Sequence, residues 1–249
     1  MKKLYALSGL AISGLLVIGS ALPATAATGP DALNQLSKLN PGISTSELKS
    51  SLSDYAKSEK ISLDQAIQRA LSESKESAKD AASAGGTDGL ASAASKGGGS
   101  SSGVYLKSAS RKGDIFVSPA ATGFVQHGHT GIYYTTGTIV EAPGTKKRSR
   151  SIGASNYKVA RGAVKQYIKT TSTQRGKAAN HAYNKLRGKD YNTNFAFNKS
   201  TTGSKMNCSQ LVWAAYKAAT GIDLDGNGGP GVYPYNIKDS SKTTTYKTL

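Results

Sequence analysis

The sequence predicts an α+β fold: a meander of short strands followed by helices, preceded by a small helical segment and a flexible linker. Three observations predict it. Period-two patterns of β-branched and aromatic residues occupy 115–117, 131–134 and 138–140. Helical spacing of apolar residues takes over at 173–186 and again at 208–219. Between Ala81 and Gly103 the composition collapses to Ala, Ser and Gly, which separates this part from a run of short amphipathic helices before it. A chain of 249 residues has room for one full domain plus an appendage, or two small domains.

In chain order, the first expected element is an address. Lys2 and Lys3 precede an apolar run from Leu4 to Ala21, and Pro23, Ala24, Thr25 and Ala26 supply small residues for signal-peptidase cleavage. Residues 1–26 are therefore expected to be a secretory signal, so that the mature chain is exported. No later stretch approaches the roughly 20 apolar residues of a membrane span, and no stable membrane insertion is expected after cleavage. Residues 27–82 form the small helical segment. Ser44 and Glu47, then Ser62 and Gln65, give two capping-box signals, each followed by an apolar stripe: Leu48, Leu52 and Tyr55, then Ile67, Ala70 and Leu71. These apolar residues are too few for a stable core alone, so the segment packs on the second part or acts as propeptide, spacer or targeting element. Residues 83–103 are the linker, and 104–249 the main domain.

Charge is divided between the parts. Residues 27–100 carry 8 basic and 9 acidic side chains, whereas 101–249 carry 22 basic and 6 acidic. An excess confined to the main domain suits nucleic acid, anionic lipid or an acidic cell-surface polymer, or is simply a solvated basic surface. Export argues against nucleic acid as the partner, and the run from Lys146 to Arg150 reads as a solvated loop. The single cysteine excludes an internal disulfide framework and multi-cysteine metal motifs.

That cysteine, Cys208, falls at the first turn of a helix continued by Leu211, Val212 and Trp213. Exposed N–H groups and the positive end of the helix dipole there favour a thiolate. A buried small hydrophobe is the alternative. A thiolate nucleophile needs a base, and His127, His129 and His181 are the candidates. His127 and His129 would share a face of one strand, and a metal pair there lacks a third ligand. His129 leads into an apolar strand at the edge of a core, whereas His181 lies in a polar helix. Glu141 ends the next strand, and a hairpin around Gly137 would bring it beside the His129 strand, as an imidazole-orienting carboxylate or an ordinary strand-end charge.

Four segments in order carry a resemblance: Gly113-Asp114-Ile115, Gly128-His129-Thr130-Gly131-Ile132-Tyr133, Ile139-Val140-Glu141-Ala142, and Cys208-Ser209-Gln210-Leu211-Val212-Trp213. Together they resemble the NlpC/P60 superfamily of papain-like cysteine hydrolases, with the His strand before the Cys helix as in its circularly permuted YiiX/YycO-like branch. The resemblance covers roughly 104–240. It implies a papain-like core with the Cys helix packed on an antiparallel sheet, Cys208 as nucleophile, His129 as base and Glu141 as the orienting residue. It also implies no redox or organic cofactor, and a cell-wall peptide as substrate. His127 matches no catalytic position.

Asp223, Asp225, Asn227 and Gly228 fit the opening of a calcium loop, but Pro234 stands where the bidentate Glu belongs. A Gly-rich Asx turn is the expected structure. The leading expectation is a secreted cysteine amidase or endopeptidase. A thiol-dependent lipid acyltransferase or hydrolase, and a non-catalytic basic wall-binding module, are the alternatives.

Overall fold

The computed structural model describes residues 29–84, 103–122 and 125–249. The expected signal at 1–26 and all but the ends of the expected linker lie outside the described residues.

Three helices open the described chain: α1 (Gly29–Leu39), α2 (Thr45–Glu59) and α3 (Leu63–Ala84). Ser44 caps α2 by accepting from the Glu47 N–H at 3.2 Å. The second box closes in both directions, Gln65 N–H to Ser62 Oγ at 3.1 Å and Ser62 N–H to Gln65 Oε1 at 2.9 Å. Helix α3 runs two residues past the expected boundary at 82, because Ala81 is buried against Val117, Val164 and Tyr235 of the main domain. The three helices are not an isolated unit. Their shared core of Leu36, Leu48, Leu52, Ile67 and Leu71 includes Ala196 of the main domain, and the Tyr55 and Phe197 rings pack at 5.5 Å.

The main domain is built on a 6-stranded sheet. Its strands are β1 (Ile115–Ser118), β2 (His129–Tyr133), β3 (Thr138–Glu141), β4 (Arg150–Gly153), β5 (Val164–Ile168) and β6 (Thr243–Thr248). They lie in the order β6-β5-β1-β2-β3-β4, every neighbouring pair antiparallel. Helices α4 (Ser172–Lys185), α5 (Cys208–Thr220) and the short α6 (Pro234–Lys238) complete the domain.

Strand alternation divides the core. Ile115, Ile132 and Val140 face Ala178, Ala182, Leu211, Val212 and Ala215 of α4 and α5. Phe116, Tyr133 and Ile139 point the other way, into a second cluster with Leu106, Tyr157 and Val159. The fold is α+β as expected, and the Cys-bearing helix packs on an antiparallel sheet, as the resemblance implied.

Two expectations need correction. His127 and His129 do not share a strand: β2 begins at His129, and Gly128, at φ +70°, turns the chain between them. The basic run is only partly a solvated loop, since Arg150 is the first residue of β4. Among the described residues, no helix is long and apolar enough to cross a membrane.

Candidate active site

The hairpin of β2 and β3 sets Gly131 opposite Glu141. His129, two residues before Gly131, shares that face, so the imidazole and the carboxylate converge diagonally across a position with no side chain. The Phe116 ring occupies the vacated space: a Cβ on Gly131 would lie 2.7 Å from it and 2.9 Å from the Val140 carbonyl oxygen. The ring in turn packs 5.7 Å from the imidazole. His129 Nε2 then meets Glu141 Oε2 at 2.9 Å, with Glu141 fully buried.

A buried carboxylate is tolerable only when its oxygens are satisfied. The Tyr157 hydroxyl donates to Oε2 at 2.8 Å, and Arg150 donates to Oε1 through Nε at 2.9 Å and Nη2 at 2.8 Å. Burial alone would raise the Glu141 carboxyl. The hydrogen bond and charge of His129, followed by the charge of Arg150 and the Tyr157 bond, outweigh it and hold the group below its usual range. Tyr157, buried beside this carboxylate, is pushed well up and stays a donor.

Cys208 is the first residue of α5 and 1% exposed. A capping box built by Asn207 and Gln210 fixes the helix start: Asn207 Oδ1 accepts from the Gln210 N–H at 2.9 Å, and Gln210 Oε1 from the Asn207 N–H at 3.4 Å. Gln210 is itself held by Asn192 at 2.8 Å and by the Ser200 carbonyl at 3.0 Å. The Asn207 cap uses the Gln210 N–H and leaves that of Cys208 available at the helix terminus.

The Cys208 side chain lies close enough to His129 to favour the charged imidazole. Because Nε2 is committed to Glu141, Nδ1 is the nitrogen left for the sulfur. Burial opposes charge on this imidazole. Cys208 and the hydrogen bond to Glu141, with the negative charge of both partners, prevail and push His129 up to about 10. The three residues singled out in the sequence are therefore contiguous, with the imidazole between sulfur and carboxylate. Such an arrangement can activate a thiol as a nucleophile and keep the proton on the imidazole ready for return.

The other candidates fall outside it. His127 donates from Nδ1 to the Gly128 carbonyl at 2.7 Å and packs 5.4 Å from the Phe195 ring. Burial drives it down to about 4. His181 is half-buried on α4, and burial together with Lys185 lowers it. Asp223 accepts from Trp213 and Lys217 and also takes the Asp225 N–H at 3.0 Å, while Lys199 holds Asp225. That is an Asx turn whose carboxylates face lysine ammonium groups. Among the described residues, no cluster of three or more His, Cys, Asp or Glu is arranged to hold a metal ion.

Sequence reasoning missed Arg150, Tyr157 and Tyr191. Arg150 lay within a basic run, and its place opposite Glu141 follows from β3–β4 register alone. Tyr191 is raised first by burial and then by the charges of Cys208 and Glu141, and its backbone pairs with Met206, two residues before Cys208.

A thiol at a helix start, an imidazole and carboxylate on adjacent strands, and the strands preceding the helix define a papain-like hydrolase centre in permuted order. Residues 105–243 match the family described as permuted papain-like amidase enzyme, YaeF/YiiX, C92 family, and the chain belongs to it. A cysteine hydrolase-type activity goes with that membership. Protein YycO of Bacillus subtilis strain 168 is 32% identical over 229 residues, covering 91% of this chain and 90% of the relative. That span is too long to be confined to the main domain. A crystal structure titled metalloprotein yiiX, from Escherichia coli O157:H7, is 17% identical with a TM-score of 0.36, covering 56% of this chain and 97% of that one.

Proposed function

We propose that the protein is an exported cysteine amidase or endopeptidase of the NlpC/P60 type, cleaving an amide or peptide bond in cell-wall peptide. The observation that carries the hydrolase reading is the single imidazole that meets Glu141 at 2.9 Å and is held charged by both Glu141 and Cys208. The leader-like residues 1–26 support export, and the basic composition of 101–249 supports residence on an anionic wall polymer.

In this reading the Cys208 thiolate attacks the acyl carbonyl and forms a tetrahedral intermediate. The Cys208 N–H, at the positive end of α5, donates to the developing oxyanion. The His129 imidazolium protonates the leaving amine as the C–N bond breaks, which gives the thioester. Neutral His129 then takes a proton from water as the water attacks, and the expelled thiolate restores the starting pair. Glu141 is a positioning residue: it fixes the imidazole tautomer and stabilises the imidazolium, and Arg150 and Tyr157 keep it ionised.

The test compares the protein with Cys208→Ala on isolated peptidoglycan, with mass spectrometry of the soluble products. Fragments released by the unmodified protein alone, of masses that identify an amide or peptide cut, are expected. Equal wall binding with no release from either protein contradicts the hydrolase and favours a binding module. Wall binding itself is expected to weaken with added salt.

A further inference from the structure

A cavity of about 350 Å³ opens between the turn after β3 and the segment before Cys208, lined by Thr145, Lys146, Lys147, Arg148, Asp190, Tyr191 and Thr193. Tyr191 joins it to the site, since it pairs with Met206 two residues before Cys208 and feels the charge of Cys208. The basic turn that also lines the cavity follows β3, which ends at Glu141, so both lining segments are continuous in the chain with the site residues.

The turn is fixed in place. Ser149 is 3% exposed; its hydroxyl donates to the Leu186 carbonyl at 2.6 Å and accepts from the Lys189 N–H at 2.9 Å. Its backbone bonds Lys189 and Gly188 at 2.9 and 2.7 Å. Lys146 holds a left-handed backbone at φ +62°, a conformation uncommon outside glycine. Arg148 takes the only lining carboxylate, Asp190, at 3.0 Å. Lys146 and Lys147 have no salt-bridge partner among the described residues.

The turn anchored at Ser149 lines the cavity with two lysines that have no salt-bridge partner among the described residues. It faces a segment that pairs two residues before Cys208, and is arranged for an anion. We propose that this cavity is a substrate subsite for a carboxylate or phosphate group, held by Lys146 and Lys147 while the scissile carbonyl sits at Cys208. The inference rests on the hydrolase reading and narrows it to acidic amides or peptides. It is distinct from docking by the general basic surface, because it depends on two residues at one edge of the sheet.

Cys208 itself reports the local field. Iodoacetate and iodoacetamide alkylate the same sulfur and differ in charge, so the ratio of their rates measures attraction of an anion to the site. The ratio is read on the protein, on Lys146→Glu/Lys147→Glu, and on Lys242→Glu/Lys247→Glu, which makes the same charge change at the opposite edge of the sheet. The expected result is a fall of about fivefold for the cavity variant, on Coulomb attraction over several ångströms in a wet cleft, and little change for the control. Equal falls in both variants, or none in either, overturn the subsite. Protection of Cys208 by inorganic phosphate but not by acetate assigns the subsite to phosphate, and the reverse assigns it to carboxylate. The hydrolase reading is judged separately, by the absolute iodoacetamide rate against a free thiol: a slow sulfur contradicts that reading while the ratio still reports the cavity.

Discussion

Arg150 stands directly opposite Glu141 in the β3–β4 ladder and takes one carboxylate oxygen, Oε1, with two nitrogens, leaving Oε2 to His129 and Tyr157. The carboxylate that orients the imidazole is thus fixed from the strand beyond it. Arg150→Ala leaves Oε1 buried without that partner. We expect a stability loss of about 1–2 kcal/mol by denaturant titration, kept modest because Arg150 is partly exposed. Removing the guanidinium also raises Glu141, so the acid limb of the activity profile should move to higher pH. A merely structural role for Arg150 would lower stability and leave that limb in place.

Gly131→Ala tests the vacated position between His129 and Glu141. The new methyl would meet Phe116 at 2.7 Å and the Val140 carbonyl at 2.9 Å, and backbone cannot give as a flexible side chain can. Overpacking of this kind costs about 1–3 kcal/mol. A crystal structure of the variant should show the Phe116 ring displaced from the imidazole. Unchanged stability together with an undisplaced ring would contradict the packing described.

Both halves of the central pair were legible in the sequence because they lie in one hairpin, where strand alternation and a short turn decide which residues meet. What was not legible depends on longer-range register. Strand β5 is not announced by the sequence because Lys165 and Gln166 interrupt its apolar pattern. Both are buried, and Lys165 donates to the Lys107 and Ser108 carbonyls at 3.3 and 2.8 Å. A period-two count would set His127 on the face of the His129 strand because it cannot see the positive φ of Gly128. Tyr157 reaches Glu141 from beyond β4, next to a 3₁₀ turn at Ala154–Asn156, a contact no local pattern announces.

Glu73 offers a pH test of how α3 is held on the main domain. It is 5% exposed and accepts from the Gly231 N–H at 2.9 Å, and a Cβ on Gly229 would lie 2.1 Å from its Oε1. Burial raises it to about 7, against the lowering effects of the Gly231 bond, Lys199 and Asn227, with Asp225 adding to the rise. A carboxyl raised in the folded state favours folding below its unfolded value, and that contribution is lost as pH rises through about 7. Glu73→Gln should remove this dependence and be more stable than the unmodified protein at pH 8, by on the order of 1–3 kcal/mol. Parallel stability curves for the two proteins between pH 6 and 8 would contradict the assignment.

His129 carries the opposite chemistry with the same sign. Its folded value of about 10 lies above the unfolded one, so its contribution to stability is complete below the ordinary histidine range and is lost as pH rises through about 10. Glu141→Gln removes one of the two charges that raise it. The loss should then occur at lower pH, seen as an earlier alkaline fall in the urea midpoint.

The most direct measurement is an NMR titration of the His129 ring in the protein and in Cys208→Ala. An imidazole held between a sulfur and a carboxylate should still be protonated at pH 8 in the unmodified protein, with its midpoint near 10, and the midpoint should drop in Cys208→Ala. An ordinary midpoint near 6.5 that is identical in both proteins would show that Cys208 and His129 do not act as a pair.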